Sequence, residues 1–239
     1  MNAASRKQSD TSVRKNISFF KDNLDAYSDH VRNLDTYRSI RAFTNEALRG
    51  INRLLDVGNG GTFDYDVGLV REVVAVDLFL EDLEQVEFPS NVCAKNGSAL
   101  DLPEADAAFD GVIRSMLIHH LVGKTVSECR SNVSRAIAEA FRVLKPEGRL
   151  VIVESCVPAW FYAFEKLVFP LAAKLIPLCI AHPATLQFPP SVILELLKKH
   201  TSDVVLTPIP RGRWLLQYGF KFPAALTPAA PFRFVAKRQ

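Results

Sequence analysis

The residues best suited to chemistry lie in a glycine-rich segment that follows a short apolar run. The run from Leu54 to Val57 contains Asp56 and stops at Gly58-Asn59-Gly60-Gly61-Thr62. Glycines at the end of a buried strand let the backbone approach a ligand without a Cβ clash. A second apolar run ends at Asp77, roughly 20 residues further on, where a nucleotide-binding fold places the carboxylate that holds a ribose. The two segments together predict a site for an adenosine-containing cofactor.

Two adjacent histidines are the second candidate for chemistry. His119 and His120 follow the apolar run from Gly111 to Ser115, at the mouth of the predicted cleft. A histidine there can accept a proton from a substrate hydroxyl, because an unperturbed imidazole has a pKa of about 6.5. We favour a role in shaping the loop over this role as a base. His30 and His182 are further candidates for a base.

Strand-like and helical segments alternate between Leu54 and about Val157, which predicts crossover connections and a parallel sheet. The predicted strands are Arg53 to Val57, Val73 to Asp77, Val92 to Lys95, Gly111 to Ser115 and Arg149 to Glu154, with a helix from about Thr125 to Leu144 and a turn over Lys145-Pro146-Glu147-Gly148. Apolar residues at three- and four-residue steps predict leading helices from Ile17 to about Gly50. Two strand-like runs, Trp214 to Phe222 and Pro231 to Lys237, end the chain.

Composition narrows the class of protein. A chain of 239 residues that is 48% hydrophobic can bury the core of one α/β domain with an elaboration. The net charge of +3 comes from interspersed lysines, arginines and acids, so no nucleic-acid partner is expected. The four cysteines form no CxxC pair, which predicts reduced core thiols, no zinc site and a cytoplasmic location. Residues 1–15 are polar and are expected to be disordered.

The segment from Ala159 to Ile180 is nearly apolar and has the length of a membrane-spanning helix. Charged residues interrupt it, and Pro170 and Pro177 would each break or kink a helix, so we expect two proline-punctuated helices rather than a membrane span. Such helices could cover a cleft, face a second copy of the chain, or touch a membrane surface. We favour a lid, because the segment follows a strand end, where α/β proteins bind their ligands.

The glycine loop distinguishes two classes of cofactor. A nicotinamide or flavin site reads GxGxxG, but here the bulky Phe63 occupies the position of the third glycine. With three further blocks, the loop resembles the S-adenosylmethionine (SAM) site of the class I methyltransferases. The blocks stand in the family's order, cover Leu54 to about Glu154, and read LLDVGNGG, VVAVDLF, GSALDLPEADAAFDGV followed by LIHHL, and FRVLKPEGRLVIVES.

The resemblance and the alternation together predict a doubly wound, mostly parallel sheet of the Rossmann-like methyltransferase type. After the disordered N-terminus, one α/β domain is expected. Its parts are N-terminal helices (16–50), a SAM-binding core (51–157), a helical lid (158–200) and C-terminal strands (201–239).

The resemblance also implies a role for each residue of the cofactor site. Asp56 would suit the ammonium group of SAM, and Gly58 and Gly60 would let the backbone approach its methionyl part. Asp77 would accept hydrogen bonds from both ribose hydroxyls, and Leu78 would give the adenine an apolar face.

The adenine edge would meet Ser98 and Ala99, while Asn59 and Ser115 complete the predicted set. Two positions depart from the family. Thr62 stands where the family usually carries glycine, and Ser98 where it prefers an acid.

These observations predict a SAM-dependent methyltransferase that acts on a small, rather lipophilic molecule, with oxygen as the favoured acceptor atom. The lipophilic substrate is inferred from aromatic residues expected to roof the site: Trp160, Phe161, Tyr162, Phe164, Phe169 and Phe188. Arg114, late in a buried strand, needs a partner, and the SAM carboxylate or an acidic substrate are candidates. A homodimer is a further expectation. The alternatives are a SAM-binding protein without turnover and a nicotinamide-dependent oxidoreductase.

Overall fold

The computed structural model describes residues 34–80, 87–179, 185–217 and 220–239. The predicted disordered segment, the first part of the leading helices, His30 and His182 lie outside the described residues. Within them, the helices are α1 (Asp35–Leu48), α2 (Val126–Val143), α3 (Ala159–Cys179) and α4 (Pro190–Leu197). The strands are β1 (Arg53–Val57), β2 (Glu72–Asp77), β3 (Val92–Asn96), β4 (Phe109–Ser115), β5 (Leu144–Cys156), β6 (Val204–Pro208), β7 (Trp214–Gln217), β8 (Phe220–Pro223) and β9 (Ala230–Lys237).

Seven of these strands form one sheet in the order β3-β2-β1-β4-β5-β9-β6. The strands β3, β2, β1, β4 and β5 run parallel, whereas β9 lies antiparallel between β5 and β6. β7 and β8 form a separate hairpin. The order reverses between β1 and β4, and the carboxyl ends of the strands at such a point form the crevice where doubly wound proteins bind ligands.

Both faces of the sheet are covered, which explains why its strands read as continuous apolar runs. Leu54 packs with α1 residues such as Ile40, and its neighbour Leu55 packs on the opposite face with α2 residues such as Ile137. Successive residues of a strand point to opposite faces, so a run buried at every position requires two cores. The predicted strands, the long helix and the doubly wound sheet are confirmed.

The predicted turn over Lys145–Gly148 is wrong, because β5 already begins at Leu144, which pairs with Phe109. The register shifts between Phe109 and Gly111, and Glu147 adopts a left-handed φ of 66°. Glu147 N nevertheless donates to Arg238 O, and Arg238 N donates to Gly148 O. The backbone therefore bends at Glu147, but its hydrogen bonds to Arg238 keep these residues within β5.

The prediction of two helices divided by Pro170 and Pro177 is also wrong, since α3 continues through both prolines. Proline removes one N–H donor, but tertiary packing can outweigh that loss. Tyr162 and Phe169 bury one side of α3 in the core. No helix in the described ranges is long and apolar enough to cross a membrane.

The cysteines are not all core thiols as predicted. Cys129 and Cys156 are buried, but Cys93 is exposed on β3, at the edge of the sheet. The sequence patterns did not identify β6 as a separate run, and they merged β7 and β8 into one run, whereas α4 lies in the segment 158–200 that was expected to be helical.

Candidate functional site

The glycine loop begins where β1 ends, and its backbone requires glycine. Gly58 has a φ of 79°, and a Cβ there would lie 2.5 Å from Leu117 Cδ1. Its N–H donates to Val76 O at 2.8 Å, which ties the loop to β2. Gly60 also has a positive φ, of 60°, but no atom lies within 4 Å of where its Cβ would be. The loop is therefore packed against protein at Gly58 and open at Gly60, as a cradle for a ligand requires.

Asp77, the last residue of β2, lies directly beside this loop. Its Oδ2 accepts from Gly60 N at 2.9 Å, and its Oδ1 accepts from Leu78 N at 2.6 Å. Burial raises the pKa of Asp77, and the two backbone N–H groups oppose that shift. Leu78 is exposed, so its side chain is available to a flat ring.

Asp56 lies beneath the loop and is buried. Its Oδ2 accepts from Asn59 Nδ2 at 3.0 Å and from Tyr65 Oη at 2.9 Å. Burial raises the pKa of Asp56 to about 7, although these two hydrogen bonds act in the opposite direction. Asn59 Oδ1 in turn accepts from Gly61 N at 2.8 Å, so Asn59 links the acid to the loop.

Asp64 and Tyr65 complete this part of the site, and the sequence analysis did not find them. Ser115 Oγ, at the end of β4, donates to Asp64 Oδ2 at 2.7 Å. Burial raises the pKa of Asp64 as well. Asp56, Asp64 and Asp77 therefore surround one loop, and this arrangement favours a cationic ligand.

The crossover from β1 to β2 is a loop without an α-helix, and this loop supplies polar side chains to the site. Residues 58–71, all described by the structure, contain a short 3-10 turn at Val67–Leu69 instead of an α-helix. A doubly wound fold usually places a helix N-terminus here, which attracts anions. In this chain the crossover instead brings Tyr65 to Asp56 and Asp64 to Ser115.

The predicted adenine-edge residues lie beside Asp77. Gly97 N donates to Asp77 O at 2.8 Å, so the loop that starts with Ser98 and Ala99 leaves β3 next to the acid. Ser98 Oγ accepts from Leu100 N at 3.2 Å. Arg142 of α2 fixes the loop further along by donating to Leu102 O at 3.0 Å.

The Arg114 side chain reaches Ala99, one of the two residues predicted to meet the adenine edge. Arg114 is 1% exposed, and its Nη2 lies 3.5 Å from Ala99 O. Its Nε and Nη1 have no hydrogen-bond partner among the described residues. Burial lowers the pKa of Arg114 to about 9, and the charge of Glu139 opposes that shift.

His119 forms a pair with Glu154, a residue that the sequence analysis did not single out. His119 Nδ1 lies 2.5 Å from Glu154 Oε1. Glu154 is buried, and it also accepts from Ile118 N at 2.7 Å and from Ser155 N at 2.8 Å. A carboxylate on Nδ1 favours the tautomer in which Nε2 is the proton acceptor. The His120 ring lies 4.2 Å from that of His119.

The aromatic residues predicted to roof the site divide between two sides of α3. Tyr162 is 8% exposed and packs against the buried Phe188, with ring centroids 5.6 Å apart. Trp160 is 68% exposed, and Phe164, Leu167 and Leu171 continue an exposed stripe along the helix. Because Trp160 and Phe164 are exposed to solvent, the structure does not support the expectation that they cover the site. Contact of this stripe with a membrane surface or a second copy stays a prediction.

The assignment of a buried and an exposed face to α3 can be tested by measuring the stability of variants. We expect Trp160→Ala to change the free energy of unfolding by less than about 0.5 kcal/mol, because the side chain is exposed. Tyr162→Ala should cost about 3 kcal/mol, because it leaves a cavity in the core. Urea unfolding of both variants measures this difference. Equal losses would contradict the assignment of faces, and sedimentation and liposome binding of Trp160→Ala would show whether the stripe contacts a partner.

The raised pKa of Asp56 predicts that ligand affinity depends on pH. Asp56 holds a proton in the folded protein up to about pH 7, whereas an unfolded Asp loses it near pH 3.8. This group therefore makes the ligand-free protein less stable as the pH rises from about 4 to about 7. An ammonium group beside Asp56 favours the ionised acid, so the affinity for S-adenosylhomocysteine should rise about tenfold between pH 6 and pH 8.

Calorimetry at the two pH values, in buffers of different ionisation enthalpy, measures both the affinity and the released proton. In Asp56→Asn the pH dependence should disappear. A wild-type affinity that is the same at both pH values would contradict the assignment of the ammonium group to Asp56.

The chain is similar to known methyltransferases. The family described as "Methyltransferase domain" matches residues 42–152. The demethylmenaquinone methyltransferase of Lactiplantibacillus plantarum is 29% identical over 135 residues, which are 48% of this chain and 53% of that protein. The chain thus spans about half the length of the curated relatives it matches.

Solved structures share the fold. One of them is the 1,6-didemethyltoxoflavin-N1-methyltransferase of Burkholderia thailandensis, with bound 1,6-didemethyltoxoflavin and S-adenosylhomocysteine. Its TM-score is 0.63 at 18% identity, and the match covers 100% of this chain and 92% of that chain. The N-methyltransferase NodS of Bradyrhizobium japonicum, also with S-adenosylhomocysteine, has a TM-score of 0.55 at 11% identity and covers 87% of this chain and 90% of its own.

Proposed function

We propose that this chain, a class I SAM-dependent methyltransferase, methylates the hydroxyl oxygen of a small, rather lipophilic phenol. The observation that carries the proposal is the contact between His119 Nδ1 and the buried Glu154 carboxylate. A base held in one tautomer at a strand end is needed for a hydroxyl acceptor. A neutral amine can attack without one.

The residues around the glycine loop fit the cofactor. Asp77 and Leu78 would hold the ribose and one adenine face, Asp56 would lie on the ammonium side, and the open space at Gly60 would admit the methionyl part. Bound SAM supplies an electrophilic methyl group, whose bond to sulfur breaks, leaving the electron pair on sulfur, as the bond to oxygen forms.

His119 and Glu154 together would prepare the acceptor. His119 Nε2 would take the proton of the hydroxyl, and Glu154 would stabilise the resulting imidazolium, which later returns the proton to solvent. A phenolic hydroxyl, with a pKa of about 10 as in tyrosine, is within reach of such a base. An aliphatic alcohol is far less acidic, which favours phenols as the substrate class.

Transfer of a tritiated methyl group from SAM to a panel of small phenols and matched anilines tests the proposal. We expect product from phenols that elutes as the methyl ether. Methylation of anilines alone would overturn the assignment to oxygen. Binding of S-adenosylhomocysteine in calorimetry with no transfer to either panel would favour a SAM-binding protein without turnover.

A further inference from the structure

The side chain of Gln187 contains a buried oxygen atom that requires a hydrogen-bond donor. Gln187 is 6% exposed, and its Nε2 donates to Ser155 Oγ at 2.9 Å and to Ser155 O at 3.4 Å. Its Oε1 is shielded from solvent and has no partner among the residues that the structure describes.

The orientation of this amide follows from its partner. A backbone carbonyl only accepts, so Nε2 must face Ser155 O, and the opposite orientation would place two oxygens against each other. The unpaired atom is therefore the oxygen. Leaving a buried acceptor unsatisfied costs about 1 to 3 kcal/mol, and buried groups left in this way call for an explanation.

The backbone places Gln187 in a segment that is hydrogen-bonded to His119 and lies near Glu154. Leu186 N donates to His119 O at 3.1 Å, and Val157 N donates to Phe188 O at 3.3 Å, so residues 186–188 run along the end of β5. Ser155, which holds the amide, directly follows Glu154 and donates its own N–H to Glu154 Oε1 at 2.8 Å. The unused oxygen thus belongs to the same cluster as the proposed base.

We propose that substrate binding exposes Gln187 Oε1 to the acceptor, so that this oxygen accepts a hydrogen bond from a second donor on the acceptor while His119 takes the proton of the hydroxyl that is methylated. The inference rests on the proposed function and narrows its substrate class to phenols with a hydroxyl or N–H group next to the reacting oxygen. Gln187 is then a specificity residue, and a substrate without the second donor leaves its oxygen unpaired.

Catechol and 2-methoxyphenol form the test pair, because both have a hydroxyl to methylate but only catechol has a second donor. For the wild type we expect kcat/KM to be at least about tenfold higher for catechol, as the loss of one buried hydrogen bond predicts. Gln187→Met, which has a similar length and no amide oxygen, should lose this preference by slowing catechol alone.

A binding readout accompanies the rates. Catechol, added in the presence of S-adenosylhomocysteine, should raise the melting temperature of the wild type but not that of Gln187→Met. Affinity for S-adenosylhomocysteine should be the same in both proteins, which also shows that the variant is folded.

The outcomes separate the two proposals. Equal rates on both phenols, or a preference that Gln187→Met retains, would overturn the role of Gln187 and leave phenol methylation standing. Failure to methylate any phenol would overturn the proposed function, and absence of a catechol-induced melting shift in the wild type would overturn the inference independently of turnover.

Discussion

Replacing His119 with glutamine is expected to lower methyl transfer to a phenol by about 10²- to 10⁴-fold, the usual contribution of a positioned general base. Glutamine can still reach Glu154 by hydrogen bonding, but it offers no basic nitrogen to the substrate. The affinity for S-adenosylhomocysteine should stay unchanged, because His119 contacts the β5 end rather than the glycine loop. Single-turnover transfer of a tritiated methyl group measures the chemical step, and calorimetry measures the affinity.

His120→Gln is the matched control, since its ring lies 4.2 Å from that of His119. If His119 acts as the base, the control should lose much less activity. Similar losses in both variants would instead indicate that the histidines shape the loop, and full activity of His119→Gln would exclude the base altogether. Glu154→Gln should also reduce methyl transfer, because the amide nitrogen of glutamine can donate a hydrogen bond to His119 Nδ1. That contact favours the tautomer with the proton on Nε2, which can no longer accept the proton of the substrate.

The parallel core was predictable because its signals are local. Runs such as Val73 to Val76 are apolar at every position, which is the pattern of a strand covered on both faces, and each predicted core strand is present. Asp56 and Asp77 were found because each is an acid at or next to the end of such a run. Glu154 carries the same signal at the end of β5, yet its partner, His119, lies 35 residues away in the chain, so the pairing was visible only in the fold.

Other parts depend on packing that no local pattern encodes. Trp160 and Tyr162 are two residues apart and both aromatic, but the rotation of α3 on the core buries one and exposes the other. Asp64 and Tyr65 were missed because the expected crossover helix is replaced by a loop, and only its path brings them to Ser115 and Asp56. Gln187 has no motif at all, and its unused oxygen is defined by its surroundings alone.

Replacing Asp77 with alanine is expected to weaken the binding of S-adenosylhomocysteine by about 2 to 4 kcal/mol. Two hydrogen bonds from ribose hydroxyls to a charged acceptor contribute about 1.5 to 3 kcal/mol each, with imperfect additivity. The loss corresponds to roughly 30- to 1000-fold in affinity. Calorimetric titration of the folded variant measures it, and an unchanged affinity would exclude Asp77 from the ribose site.

The loss must also be separated from an effect on the loop, because Asp77 accepts hydrogen bonds from Gly60 N and Leu78 N in the structure. A double-mutant cycle with the 2′-deoxy analogue of S-adenosylhomocysteine makes this distinction. If Asp77 binds the diol, removal of the hydroxyl should weaken binding to the wild type and matter much less in Asp77→Ala. If Asp77 only orders the glycine loop, the two losses should add.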